Sequence, residues 1–280
     1  MFPFFLAFVA SISWGVADFL GGLKSRSLSL LVVLVVSQLS GLLAMAAVIL
    51  IRGAGPPELR FVPFAMVGGL AVAMGIGAFY RALAVGTMSV VAPISAVGSA
   101  LPVLYGMLLG ERPGPIQIVG IVLAIVGVVL AAREPPKPGE SSSALAAGAA
   151  LAGIAALGFG LFLITMHQAS GEDAYWATLI QRVTTMVIIG GVALARRPSF
   201  SPAASHLGGL VAIGLLDLSA ALLFSVASSQ GLVSLIAVTA SLYPIGTVIL
   251  AHLVLKERLV LSQRIGAGAA FAGVGLISLT

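Results

Sequence analysis

Apolar residues are arranged in ten long runs of about twenty residues each, and short polar turns separate the runs. A helix needs about 20 largely apolar residues to cross the hydrocarbon core of a bilayer. The first five runs cover residues 2–23, 29–51, 61–84, 88–109 and 115–132, and the second five cover residues 144–166, 174–195, 207–229, 233–255 and 262–279. The pattern predicts an all-α integral membrane protein with ten transmembrane helices.

One stretch of the chain occurs twice, at residues 111–130 and 257–276. Each copy begins with a Glu-Arg turn and continues as an apolar helix with small residues at i, i+4 and i+7. This spacing lines one helix face with Gly and Ala, where a second helix can approach closely. We infer that the chain arose by duplication of a unit of about half its length. The identical pairs are Glu111/Glu257, Arg112/Arg258, Gln117/Gln263, Gly120/Gly266, Ala124/Ala270, Gly127/Gly273, Val128/Val274 and Leu130/Leu276.

Polar residues, prolines and serines are concentrated at residues 133–143, between the two sets of five runs. They predict a linker that joins a first five-helix repeat at residues 1–132 to a second at residues 144–280. Because five is an odd number, the second copy must enter the membrane in the opposite sense to the first. The two inverted repeats are therefore expected to be related by a pseudo-two-fold axis in the membrane plane, around a central cavity.

The composition agrees with a membrane protein. Hydrophobic residues make up 60% of the chain, charged residues 8%, and the mean hydropathy is +1.17, whereas about a quarter of the residues of a soluble domain are charged. The net charge of +5 comes from basic residues in short loops beside apolar runs, so no nucleic-acid partner is expected. There is no cysteine, the three histidines are not spaced as ligands, and no phosphate-binding or hydrolase motif occurs. We expect no metal, no cofactor and no enzyme activity.

Lys and Arg are distributed unequally between the two sets of loops. The positive-inside rule places the more basic set, which follows the odd-numbered runs and includes the linker, in the cytoplasm, with both termini outside. We expect a multi-pass protein of the cell (plasma or inner) membrane, as a monomer or a homodimer. The odd-numbered loops hold ten basic residues, Lys24, Arg26, Arg81, Arg133, Lys137, Arg196, Arg197, Lys256, Arg258 and Arg264, and the even-numbered loops hold three, Arg52, Arg60 and Arg112.

Several short motifs follow one another in order along the chain, and some of them occur once in each half. Trp-Gly stands at 14–15 and Ala-Leu at 82–83. A Gly-x-x-Ser turn occurs at 86–89 and again at 231–234, and Leu-Gly-Glu-Arg at 109–112 and Leu-Lys-Glu-Arg at 255–258 are each followed by Gln-x-x-Gly. In this paired order the chain resembles the EamA family of the drug/metabolite transporter superfamily over nearly its whole length. The resemblance implies ten helices in two inverted repeats, a central cavity, and transport of small organic solutes. Relatives often have both termini in the cytoplasm, so the resemblance and the charge distribution favour opposite orientations.

Two ionisable residues lie inside predicted spans of the second half, Arg182 beside Gln181, and Asp217. A charge at mid-span costs about 2.5–3.5 kcal/mol on insertion scales, so each one needs a reason. One hypothesis makes them an acid and a base on the cavity wall, contacting substrate charges or relaying a proton. The other makes them a structural pair that joins spans 7 and 8.

Asp18 lies in the first span and shares a helix face with Trp14. This face could line the cavity, with Trp14 as a stacking surface for an aromatic or amphipathic solute. Alternatively, Asp18 reaches toward Lys24 at the membrane interface and Trp14 is ordinary packing.

Three more polar residues complete the candidate substrate-binding set. Gln38 and Gln181 occupy equivalent places in the two halves and could bind substrate or bridge helices. Tyr243 precedes Pro244, which either bends its span or exposes a backbone carbonyl to the cavity. Glu111 and Glu257 are expected to cap a helix or form an interfacial salt bridge.

Together these features favour a secondary transporter, and specifically an exporter, of small organic solutes such as amino acids or related metabolites and drugs. It would work by alternating access within the lipid bilayer, with protons as the coupling ion. The alternatives are an uncoupled channel or facilitator and a lipid-handling membrane protein.

Overall fold

The computed structural model describes residues 1–85, 88–131, 142–256 and 261–278. Within these ranges the secondary structure is helical. The helices are α1 (Phe2–Ser25), α2 (Leu30–Arg52), α3 (Val62–Val85), α4 (Met88–Ala96), α5 (Ala100–Leu108), α6 (Pro115–Ala131), α7 (Ser142–Ala169), α8 (Ala174–Arg196), α9 (Leu207–Ser228), α10 (Val233–Ala240), α11 (Tyr243–Leu255) and α12 (Leu261–Ser278).

Seven segments in the described part of the chain are long and apolar enough to cross a bilayer. They comprise α1, α2, α3, the Ala150–Ala169 part of α7, α8, the segment Ser201–Ser228 that contains α9, and Val233–Leu255, which contains α10 and α11. Two predicted spans of the first half are represented by shorter apolar helical segments, Ile94–Leu108 and Pro115–Gly127. The predicted linker at 133–143 lies, except for its last two residues, outside the described residues.

Large apolar side chains cover much of the outer surface of the helices. Leu50 is 81% exposed, Leu194 79% and Leu253 67%. Contiguous apolar surface of this kind would be unstable in water, whereas hydrocarbon tails solvate it at no cost. The chain is therefore a multi-pass membrane protein.

The corresponding helices α2 and α8 end in the same way. Gly53 follows α2 at φ +60° and donates its N–H to the Ile49 carbonyl, and Arg197 follows α8 at φ +49° and donates to the Ala193 carbonyl. A left-handed residue at this place satisfies a free carbonyl of the last turn and stops the helix. Glycine adopts this conformation without strain, so the second half tolerates at Arg197 a strain that the first half avoids.

The start of α8 is fixed by a charged cap outside the membrane-spanning segment. The Asp173 carboxylate accepts the N–H groups of Tyr175 and Trp176, and Arg52 pairs with it at 3.1 Å from the end of α2. Partial burial by itself would raise the pKa of Asp173, but the bonds from Arg52 and from the two backbone N–H groups outweigh it and hold the pKa below its ordinary value. The ionised cap therefore joins α2 to α8.

The main helix contacts join the two halves. Helix α1 packs on α9 and α3 packs on α7, while α2 packs on both α8 and α9. Where these helices cross, glycines bring the backbones together. A Cβ on Gly158 of α7 would lie 2.8 Å from the Cα of Gly75 in α3, and one on Gly15 of α1 would lie 3.1 Å from the Cα of Gly246 in α11.

The repeated small-residue faces pack against each other. A Cβ on Gly273 of α12 would lie 2.5 Å from both the Gly120 carbonyl oxygen and the Ala124 amide nitrogen of α6. The close approach expected from the spacing of small residues is therefore present, and it joins the two copies of the repeated stretch.

Two predicted spans are broken at mid-length. A 3₁₀ turn at Val97–Ser99 separates α4 from α5, and Ser241 and Leu242 separate α10 from α11, with Pro244 in the first turn of the second helix. Proline at the start of a helix removes a donor that would have no partner there, so Pro244 begins α11 rather than bending a continuous helix. The two broken spans lie side by side, α10 against α5 and α11 against α4.

Candidate functional site

A cavity lies between the halves beside the two helix breaks. The volume that the centres of water molecules can occupy in it is about 50 Å³. This is enough space for a few waters. Both halves supply its walls. The first half supplies Trp14, Asp18, Val72, Ile76, Ser95, Ala96 and Ser99, and the second half supplies Phe159, Phe162, Leu163, Gln181, Arg182, Asp217, Ala221, Ala240, Ser241 and Tyr243.

Six of the seven candidate residues line this cavity, and the exception is Gln38. Gln38 is buried, at 2% exposure, and lies behind the wall on α2. It nevertheless contacts two cavity residues, because its side-chain N–H donates to Asp217 and its oxygen accepts from Arg182, both at 3.1 Å. Gln38 thus bridges α2, α8 and α9, as the second interpretation of this residue predicted.

Asp217 is the centre of a buried polar network. Arg182 Nη2 donates to Asp217 Oδ2 at 3.0 Å, and Trp14 Nε1 donates to Asp217 Oδ1 at 3.2 Å. The Arg182 side chain is 1% exposed and that of Asp217 14%. With the bond from Gln38, four helices, α1, α2, α8 and α9, are therefore joined through one carboxylate that still reaches the cavity.

The Arg182–Asp217 pair satisfies a condition of both hypotheses made for it. It joins α8 to α9, as a structural pair should, and both residues lie on the cavity wall, as an acid and a base for a solute should. Room for the guanidinium depends on Gly41 of α2, where a Cβ would lie 2.7 Å from Arg182 Nη1. Two buried atoms of consecutive residues, Gln181 Oε1 and Arg182 Nε, have no hydrogen-bond partner among the described residues.

Gln181 also bridges helices. Its side-chain N–H donates to Thr185 Oγ1 at 2.9 Å, and Thr185 Oγ1 in turn donates to the Gly69 carbonyl of α3 at 2.9 Å. Gln181 reaches the cavity as well. The bridging interpretation therefore describes the side-chain N–H of Gln181, and its oxygen is buried without a partner among the described residues.

Asp18 is buried, at 7% exposure, and faces the cavity. Among the described residues no side chain or backbone donor is hydrogen-bonded to its carboxyl group and no cation pairs with it. Lys24, its partner in the alternative interpretation, instead contacts His206 Nδ1 at 3.3 Å. The geometry fits the cavity-lining hypothesis for Asp18.

Aromatic rings form the apolar walls. Trp14 packs edge-to-face on Phe162 with ring centres 6.1 Å apart, and Tyr243 packs edge-to-face on Phe159 at 6.4 Å. The Tyr243 hydroxyl is hydrogen-bonded to Ser95 Oγ at 2.6 Å. Trp14 is thus both packed and cavity-lining, and Tyr243 connects α11 to α4 across the two halves.

Comparison with known proteins identifies the family. Residues 1–133 and residues 146–279 each match the model of the EamA-like transporter family. The chain belongs to the EamA-like transporter family. The resemblance drawn from the paired motifs is confirmed, and the two matches together span nearly the whole chain.

Two further similarities concern length and fold. An uncharacterised protein of Methanocaldococcus jannaschii is 26% identical over 126 residues, which are 45% of this chain and 92% of that protein. That relative is therefore about as long as one EamA repeat of this chain. A protein of known crystal structure has the same fold, with a TM-score of 0.77 at 17% identity, covering 99% of this chain and 96% of the other.

One carboxylate in this EamA-family chain has a role that its sequence position did not reveal. Glu111 accepts the backbone N–H groups of Val233 at 2.7 Å and Ser234 at 3.1 Å, the first two residues of α10. Capping was expected for Glu111, but the capped helix belongs to the other half. The sequence feature that could have pointed to this contact is the recurrence of both the Glu-Arg turn and the Gly-x-x-Ser turn in the two halves. Glu257 lies outside the described residues.

Sequence reasoning missed the apolar cavity residues Phe159 and Phe162. A Phe in an apolar run looks the same whether it faces lipid or a cavity. Within the described residues no group of three or more His, Cys, Asp or Glu side chains is placed to hold a metal ion.

Proposed function

We propose that this chain is a secondary transporter that exports small organic solutes, such as amino acids or related metabolites and drugs, by alternating access. The observation that carries the proposal is the position of the cavity. It lies between the two halves, is lined by both, and contains polar and ionisable side chains inside helices that are otherwise apolar. Such groups within a membrane mark solute and ion pathways.

An inverted arrangement of ten spans is the architecture we propose. Counting α4 with α5 and α10 with α11 as one span each gives five spans per half, for residues 1–132 and 144–280. A pseudo-two-fold relation between them is supported by exchanged contacts: α1 packs on α9 as α7 packs on α3, and α2 packs on α9 as α8 packs on α3. A relation of this kind lets one half rock against the other around a fixed site.

The broken spans are the elements that we expect to move. Each has a break beside the cavity, at Val97–Ser99 and at Ser241–Leu242, and short helices joined by a turn can reorient separately. Ser95 and Tyr243 flank the two breaks and are bonded to each other. Loss of that bond would remove one of the contacts that hold α4 to α11 beside the cavity.

Transport by the purified protein tests the proposal. A thermal-shift screen of amino acids, amines and small carboxylates identifies ligands, since a ligand stabilises the state that it binds. Each hit is then followed as flux in proteoliposomes. We expect protein-dependent flux that accelerates when a proton gradient is imposed and slows when a protonophore dissipates it.

The other outcomes separate the alternatives. If a ligand from the screen is transported at a rate that does not depend on the proton gradient, the protein is a facilitator. Absence of flux for every hit, in vesicles that contain folded protein, would refute the transporter proposal, and movement of labelled lipid between leaflets would favour a lipid-handling protein. Cells that express the chain should accumulate less of a transported solute if the direction is export.

Orientation is tested by cysteine labelling, which is simple because the chain has no cysteine of its own. In the proposed ten-span arrangement, the start of α7 at Ser142 and the loop after α2 at Gly55 lie on opposite sides of the membrane. With the linker in the cytoplasm, we expect Ser142→Cys to resist a membrane-impermeant maleimide in intact cells. Gly55→Cys, at an exposed glycine with open space around it, should react readily. The reverse pattern would place both termini in the cytoplasm.

A further inference from the structure

The fixed charges of the cavity do not balance. Arg182 and Asp217 are paired at 3.0 Å and cancel each other. Asp18 is the other acidic residue on the wall, and no second Lys, Arg or His is among the described cavity residues. With both acids ionised, the cavity therefore has a net charge of −1.

Asp18 also lacks hydrogen bonds. Asp18 is 7% exposed and lines the cavity, and no described residue donates a hydrogen bond to its carboxyl group. Buried polar groups are almost always paired, because an unpaired buried carboxylate loses its hydration without compensation. Since no described residue supplies a donor, the carboxyl group of Asp18 is open to a donor group of a solute in the cavity.

The neighbouring walls suit a cation with an apolar body. Trp14 lies one helical turn before Asp18 on the same face, and the Tyr243 and Phe159 rings form another part of the wall. Aromatic faces attract ammonium groups, and the attraction is strongest where water is excluded. Hydroxyl groups at Ser99 and Ser241 can accept the remaining ammonium hydrogens.

The same walls offer little to an anion. The guanidinium of Arg182 is 1% exposed, its two terminal nitrogens are already bonded to Gln38 and Asp217, and its unpaired Nε is itself buried. A carboxylate or phosphate group entering the cavity would face Asp18 without a free cation to offset the repulsion.

We propose that the solutes of this cavity are small organic amines, bound as ammonium ions by Asp18 with their apolar part against the aromatic walls, and that anionic solutes are excluded. This inference rests on the proposed transport function and names its substrate class. It distinguishes amines from the carboxylate-bearing solutes that the proposed function also allows.

Binding to the purified full-length chain tests it, with probes that share a carbon skeleton and differ in charge. Three matched sets cover a range of sizes: butylamine, butanol and butyrate; benzylamine, benzyl alcohol and benzoate; tryptamine, tryptophol and indole-3-acetate. At neutral pH we expect at least one amine to raise the thermal midpoint and to bind at least tenfold more tightly than its alcohol by calorimetry. The matching carboxylates should not bind.

Variants of Asp18 show whether the selectivity arises there. Asp18→Asn should reduce amine affinity at least tenfold and leave affinity for the alcohol unchanged, and Asp18→Glu should restore part of the amine selectivity. Glu58→Gln, which removes an exposed acid from the loop after α2, controls for the general loss of negative charge and should bind amines as the wild type does. A single elution peak in size-exclusion chromatography together with a cooperative thermal unfolding transition establishes that each variant is folded.

Three results would overturn the inference. One is equal binding of amine and alcohol in every set, which would mean that a proton alone neutralises Asp18. Another is tighter binding of a carboxylate, and the third is amine selectivity that survives Asp18→Asn. If carboxylates or neutral solutes bind and are transported, the amine inference fails and the transport function stands, whereas failure of the transport function requires absence of flux for every ligand that binds.

Discussion

Asp217→Asn and Arg182→Gln are each expected to destabilise the protein by about 3–5 kcal/mol, because either change leaves one buried charge without its partner. In Asp217→Asn the uncompensated group is the Arg182 guanidinium, which is 1% exposed. In Arg182→Gln it is the Asp217 carboxylate, which keeps only the weaker donors Gln38 and Trp14. The measurement is the thermal unfolding midpoint in detergent, which should fall by on the order of 10 °C.

The double variant Arg182→Gln/Asp217→Asn separates the two hypotheses for this pair. It removes both charges and lets the two amides hydrogen-bond, so most of the lost stability should return. Flux in proteoliposomes should remain absent or lose its dependence on the proton gradient if the charges act on the solute or the coupling proton. Recovery of wild-type flux along with stability would show that the pair only joins α8 to α9.

Gly214→Ala is expected to have the second largest effect, a destabilisation of about 2–3 kcal/mol. A Cβ on Gly214 of α9 would overlap the Ser37 carbonyl oxygen and the Ser40 hydroxyl of α2. The Ser37 carbonyl belongs to a helix backbone and cannot move unless α2 moves. Since α2 also carries Gln38, separation of the helices should weaken the polar network around Asp217 as well.

Gly191→Ala is the matched control for this prediction. Gly191 lies on the exposed face of α8 with no atom near the position of an added Cβ. There the same substitution should raise stability by up to about 1 kcal/mol, because alanine is the better helix former. Opposite signs at the two positions are the expected result. A neutral or stabilising Gly214→Ala would mean that α2 and α9 are not in contact as described.

The helices themselves could be predicted from the sequence, because their lengths follow from the thickness of the hydrocarbon core. The apolar run at 174–195, for example, corresponds to α8 at Ala174–Arg196. The breaks at Val97–Ser99 and Ser241–Leu242 could not be located in advance. Their positions depend on the packing of the two broken spans against each other. In the sequence, Pro244 indicated only the approximate region of one break.

The polar part of the candidate site was predictable for a thermodynamic reason. Asp18, Arg182 and Asp217 stand out in apolar runs because each is costly in a bilayer unless it is paired or faces a cavity. Their partners were less predictable. The bonds from Trp14 and Gln38 to Asp217 span 203 and 179 residues of sequence, and no local pattern encodes contacts over such separations.

The bond between Glu111 and the start of α10 has a consequence for how this end of the bundle can move. The carboxylate follows α5 in the first half and holds the amides of Val233 and Ser234 in the second half. As long as these two hydrogen bonds persist, α10 must follow any displacement of the turn at residues 109–112. The turn and α10 therefore move as one rigid unit that combines parts of both repeats.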